Sequence, residues 1–146
     1  MKADMVGLSE TNSPWNNHLL TDGYRRAANR YAGISKTHFS SANDLIDPID
    51  SSTLQQSGGT VSTVNGGWTT SVRKSIIKDP TGLGRWSGVS IGGKQDKRLA
   101  IITGYRVCEQ SRTSAGENTS YAREWEYFRD QGIDKPNPRQ QFLTDM

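Results

Sequence analysis

Two residues of this chain combine a reactive type with a setting that chemistry can use, Glu10 and Tyr105. Met5-Val6-Gly7-Leu8 is a short apolar run that empties into the polar stretch Ser9-Glu10-Thr11-Asn12-Ser13-Pro14, so Glu10 stands at the end of an expected strand. A carboxylate fixed by a rigid strand end is well placed to hold a hard divalent cation, which prefers oxygen ligands, or to orient a base. A loop carboxylate that caps a turn or pairs with a lysine satisfies the same pattern. Tyr105 and Arg106 follow the apolar run Leu99 to Thr103 and the glycine at 104, which predicts a place at the rim of a sheet, where sites are commonly built. A core aromatic with a wet hydroxyl is the plainer alternative for Tyr105.

The elements that must position these residues are mostly strands. From Arg98 to Cys108 the chain reads RLAIITGYRVC, with apolar and β-branched residues in succession rather than alternation, which predicts a strand covered on both faces. Gly58-Gly59 opens an alternating run from Thr60 to Val64; Asn65-Gly66-Gly67 has the residues of a tight turn, and Trp68 to Val72 continues it, so a β-hairpin is predicted. Two adjacent glycines can also cradle a phosphate, but no Lys-Ser/Thr follows them. Asp79-Pro80-Thr81-Gly82-Leu83-Gly84 is a turn, Arg85 to Ile91 alternates, and Gly92 to Asp96 reverses the chain again, which makes the middle of the molecule an antiparallel meander. Such a pattern predicts sheet on sheet with helices outside.

Helices are expected in three places. Thr11 or Ser13 can cap a short one over Trp15 to Leu20, with Pro14 at its first position. Thr119 or Ser120 can cap a second, whose Tyr121, Trp125 and Phe128 share a face and which Gly132 closes. Asn137 and Pro138 start a third, with Phe142, Leu143 and Met146 on its apolar side. Periodicity is weak from Gly23 to Ser57, which reads as a long surface loop, and the segment from Cys108 to Asn118 reads as another.

Composition narrows the function classes. Of 146 residues only 32% are hydrophobic and mean hydropathy is −0.73, a thin supply for a core of this length, which predicts an incomplete domain. The net charge of +3 is unevenly spread: Arg73 to Arg106 holds eight Lys or Arg against Asp79 and Asp96, a local excess of six. A polyanionic partner suits that block, and so does a solvated hairpin face. The single cysteine, Cys108, excludes an internal disulfide framework, and there is no zinc-type Cys/His spacing, which together predict a reduced intracellular setting. No apolar run approaches the roughly 20 residues of a membrane span, and the N-terminus has no apolar signal core.

Read together, four motifs resemble, in order, the endonuclease/exonuclease/phosphatase family, especially the endonuclease domains of non-LTR retrotransposons. Gly7-Leu8-Ser9-Glu10-Thr11-Asn12 is similar to the family segment whose Glu binds the catalytic metal, and Gly58-Gly59-Thr60 to the paired glycines that open its next central strand. Asp79 to Trp86 with Ile101 to Cys108 resembles the hairpin and the strand of the active-site tyrosine, and Ser120 to Phe128 and Arg139 to Met146 the helices that follow. The resemblance implies an α/β (α+β) fold, part of a four-layer α/β/β/α sandwich with mostly antiparallel sheets, and Mg²⁺- or Mn²⁺-dependent cleavage of phosphate esters. It implies Glu10 as metal ligand and Tyr105 as the donor to the scissile phosphate or its metal-bound water. Asn12, Arg106 and Arg85 would then contact phosphate, with the basic block on DNA.

The chain also departs from that family. No Asn-containing strand precedes the Glu segment, no Gly-Asp-Phe-Asn strand follows the helices, and no Ser-Asp-His segment supplies a general base; His18 and His38 stand in other contexts. The expectation is therefore a single domain over residues 1–146, the N-terminal part of a nuclease-like domain, inactive alone because catalytic groups act as a unit. A non-catalytic nucleic-acid-binding remnant and a phosphatase of the same superfamily are the alternatives.

Overall fold

The computed structural model describes residues 3–42, 57–108, 116 and 119–146. Residues 43–56 of the expected first long loop, and most of the second, lie outside the described residues. The chain divides into two compact units, Met1–Tyr105 and Arg106–Met146. The fold is mixed α+β, with antiparallel sheets as the strand patterns predict.

The first unit holds two three-stranded antiparallel sheets. In one, β3 (Thr60–Asn65) lies between β1 (Met5–Ser9) and β2 (Ser35–Ser40). In the other, β5 (Trp86–Gly92) lies between β4 (Val72–Lys78) and β6 (Arg98–Gly104), the meander read from the turns. The sheets pack face to face. Val64, Val89 and Ile91 form the buried core, with Met5, Val72 and Ile101 against it. Toward the Glu10 end the seam turns small and polar: Ser62 Oγ donates to the Ser87 carbonyl (2.9 Å) and to Thr103 Oγ1 (2.7 Å). A Cβ on Gly7 would run into that same Thr103 hydroxyl, so the glycine lets β1 close on β6.

Four expectations about the elements of this unit need correction. The strand from Arg98 is not covered on both faces: β6 is an edge strand, with Leu99 56% and Ile102 43% exposed, and full burial falls instead on the central strands β3 and β5. An apolar run reports affinity for cover, whereas strand order decides who receives it. Second, Thr60 to Val72 is no hairpin. A 3-10 helix, Gly66–Ser71, held by Thr69 Oγ1 on the Gly66 carbonyl and Thr70 Oγ1 on that of Gly67, carries the chain from one sheet to the other. Third, the first helix, α1, is His18–Ala32, capped by Asn17 rather than Thr11 or Ser13. Thr21, Tyr24, Ala28 and Ala32 recur at helical spacing on its inner face, and with Tyr24 the one large side chain among them the apolar signal is faint. Fourth, part of the predicted long loop is therefore ordered, as the rest of α1 and as β2. Gly33 (φ 83°) ends the helix, and Asn29 Oδ1 then receives the N–H of Ser35 to launch β2.

The second unit contains α2 (Ser120–Asp130) and α3 (Pro138–Asp145), each with the cap expected for it, Thr119 and Asn137. Phe128 and Phe142 are buried, whereas Leu143 and Met146, expected on the apolar face of α3, are 54% and 55% exposed. Among the described residues no helix is long and apolar enough to cross a membrane.

Candidate active site

The site begins with a loop that the backbone itself would not choose. Glu10 and Asn12 lie in the left-handed region (φ 51° and 50°), a conformation costing about 1–2 kcal/mol per non-glycine residue. The loop holds it by pairing with Gly58-Gly59: Thr11 N–H donates to Gly59 O (3.2 Å), Asn12 N–H to Gly58 O (2.9 Å), and Gly58 N–H back to Asn12 Oδ1 (3.0 Å). Trp15 Nε1 donates to Thr11 Oγ1 at 2.6 Å and staples the tip. A Cβ placed on Gly59, at φ 84°, would stand 3.0–3.5 Å from Thr11, Trp15 and the Ser40 carbonyl, so the paired glycines serve as a seat for the Glu10 loop.

Tyr105 reaches the same place from the other sheet. Immediately after β6, its N–H donates to the Arg85 carbonyl (2.7 Å), and its hydroxyl donates to Glu10 Oε1 at 2.9 Å, across 95 positions of sequence. Glu10 is exposed and Tyr105 half-buried, so the pair meets solvent at the lip between the sheets.

The remaining sequence-predicted residues have other settings. Asn12 is half-buried, with its side-chain oxygen spent on Gly58. Arg106 belongs to the second unit, where its Nε donates to the Arg139 carbonyl at 3.2 Å. Arg85 is a correction. Its side chain is fully buried, with Nε 2.8 Å and Nη2 3.0 Å from the Asp79 carboxylate, so it is not offered to an outside phosphate. Asp79 also receives the N–H of Arg85 and both donors of Thr81. Burial alone would raise its pKa, but hydrogen bonds and charge from Arg85, with help from Thr81, hold it below the ordinary carboxylate value. The Asp79-Pro-Thr-Gly-Leu-Gly-Arg motif is thus an internal clamp. It acts on the site through the Arg85 carbonyl that fixes the Tyr105 backbone.

Sequence reasoning missed Thr11, Trp15 and the Ser62–Ser87–Thr103 seam, which gather only in three dimensions. Two further hydroxyls, Ser40 Oγ and its cross-strand partner Thr60 Oγ1, are buried with no hydrogen-bond partner among the described residues. They stand at the same strand ends as Ser9, the residue before Glu10.

Among the described residues no group of three His, Cys, Asp or Glu converges on a metal position. Mg²⁺ commonly uses one or two protein carboxylates and takes its other ligands from water and substrate phosphate. The exposed Glu10 carboxylate meets the lower end of that requirement, and Asp79 is withdrawn from it by Arg85. No family model, curated protein or solved structure matches this chain.

Proposed function

We propose that Glu10 and Tyr105 form the metal- and phosphate-facing part of a divalent-metal-dependent phosphodiesterase site of endonuclease type, acting on DNA in an intracellular setting. The observation that carries this reading is the 2.9 Å hydrogen bond between these two residues at the lip of two packed sheets. Glu10 would hold Mg²⁺ or Mn²⁺, which in such sites neutralises charge on phosphoryl oxygens and polarises them. Tyr105 presents an O–H donor that can turn from Glu10 to an oxygen of the phosphate ester, where a positioned donor stabilises developing negative charge. The strained loop and its glycine seat hold the carboxylate still, so little reorganisation is required when substrate arrives.

A general base is what the described residues lack beside this pair. His18 begins α1, His38 lies on β2, and Asp79 is locked in its ion pair. The chain alone is therefore expected to bind a divalent cation and DNA without cleaving. Isothermal titration with Mn²⁺ should give binding that Glu10→Gln removes, while supercoiled plasmid with Mg²⁺ stays intact. Binding that survives Glu10→Gln would favour the second reading, a non-catalytic nucleic-acid-binding chain, which the lack of a three-ligand metal group among the described residues supports. Mg²⁺-dependent nicking abolished by Glu10→Gln would instead show that the pair needs no further base.

A further inference from the structure

Along the β2–β4 edge of the first unit, under α1, run two adjoining cavities of about 400 Å³ and 440 Å³ that share Arg25, Thr37, His38 and Ile76. Among the described residues five cations line them, Arg25 from α1, Lys36 from β2, and Arg73, Lys74 and Lys78 from β4, and none of those lining residues is Asp or Glu. Consecutive residues of a regular strand point to opposite faces. Here β4 bulges: Val72 pairs with Ile91 and Ile76 with Val89, so 73–75 oppose a single residue and Arg73 and Lys74 both face one cavity. Lys36, Arg73 and Lys74 are exposed and form no ion pair among the described residues, whereas Arg25 pairs outward with Asp22 at 3.2 Å. His38 lines both cavities, and its Nδ1 is buried without a hydrogen-bond partner among the described residues. A concave surface walled by one sign of charge concentrates counter-ions of the other.

We propose that this groove holds the phosphate backbone of a nucleic acid, as a binding surface distinct from Glu10 and Tyr105. It rests on the proposed function only for the choice of nucleic acid among polyanions. The groove also divides the basic block of the sequence. Arg73, Lys74 and Lys78 join Arg25 and Lys36 here, Arg85 is internal, and Lys94, Lys97 and Arg98 lie at the turn between β5 and β6.

The test is fluorescence anisotropy of a labelled DNA duplex over a KCl series, in EDTA so that no divalent cation contributes. The triple variant Lys36→Gln, Arg73→Gln, Lys74→Gln should bind at least ~10-fold more weakly, with a slope of log K against log salt shallower by about 2–3, roughly one per lost phosphate contact. The matched variant Lys94→Gln, Lys97→Gln, Arg98→Gln removes the same charge elsewhere and should keep most of the affinity. All six side chains are exposed, so thermal unfolding should stay near wild type in both variants. Equal loss in the two variants, or none in the first, overturns the groove. Competition by polyglutamate as effective per charge as unlabelled duplex overturns nucleic acid as its ligand. The salt series contains no divalent cation, so groove binding together with a failed metal titration would leave this inference standing and remove only the nuclease reading.

Discussion

At the scale of single residues, the chain places its most demanding pair inside, away from the site. Asp79 and Arg85 are both fully buried, and each is tolerable only because the other is present. Removing one partner of such a pair typically costs about 3–5 kcal/mol, since a charge is left in a poorly solvating interior. Asp79→Asn should therefore lower urea-unfolding stability by about that amount, and Asp79→Asn with Arg85→Met should recover a large part of it. The double variant losing as much as the sum of the singles would show that the ion pair is not the source. The exposed Glu10–Tyr105 bond carries little stability by comparison, because water competes for both partners. A surface residue in a strained conformation that contributes little to folding is a signature of function.

At the scale of elements, the Glu10 loop depends on the segment that enters β3. Gly59 has φ 84° and an added Cβ would meet neighbours at 3.0–3.5 Å, so Gly59→Ala adds left-handed strain of about 1–2 kcal/mol to a crowded seat. Its melting temperature should fall by several degrees, by the usual entropy scaling for a chain of this size. Gly67→Ala, where a Cβ meets nothing within 4 Å, should leave it unchanged. Several elements with local signals were read correctly: Asn137-Pro138 starts α3, Thr119 caps α2, and the Asp79 to Gly84 turn separates β4 from β5, although Asn65-Gly66-Gly67 opens a 3-10 helix instead of a hairpin turn and Asn17 takes the cap expected of Thr11 or Ser13. Elements defined by what covers them were not. The run Leu99 to Thr103 has a more apolar face than β3, yet it sits at an edge while Thr60, Ser62 and Thr63 are enclosed between the other sheet and α1.

At the scale of the whole molecule, stability should depend on pH in a predictable sense. His38 is held below its ordinary value of 6.5 first by burial, then by Arg25 and Lys36, so the folded state resists its protonation. A depressed histidine contributes stability that is complete above its unfolded value and is lost as pH falls through and below it. Asp79, held below 3.8, adds a second loss at lower pH, because acid protonates the unfolded carboxyl before the folded one. Urea titrations should accordingly show a plateau near neutrality and a decline below about pH 6.5. His38→Gln should flatten the upper part of that decline, and an unchanged profile would assign it to other groups. DNA in the basic groove would oppose the effect, since an anion beside the imidazole favours its charged form.

Residue types, the Asp79 to Gly84 turn and the caps of α2 and α3 followed from the sequence alone, because each depends on a few neighbouring residues: a carboxylate after an apolar run, a tyrosine after Gly104, a proline after a capping asparagine. That Glu10 and Tyr105 meet was an expectation from resemblance until two sheets packed across a seam small enough, at Gly7, Ser62 and Thr103, to bring their ends together. Which basic residues face outward together was likewise decided by the bulge in β4 and by the clamp that takes Arg85 inside. Charge and apolarity are properties of residues, whereas exposure and adjacency belong to the packing of distant segments, and only the tertiary structure supplies them.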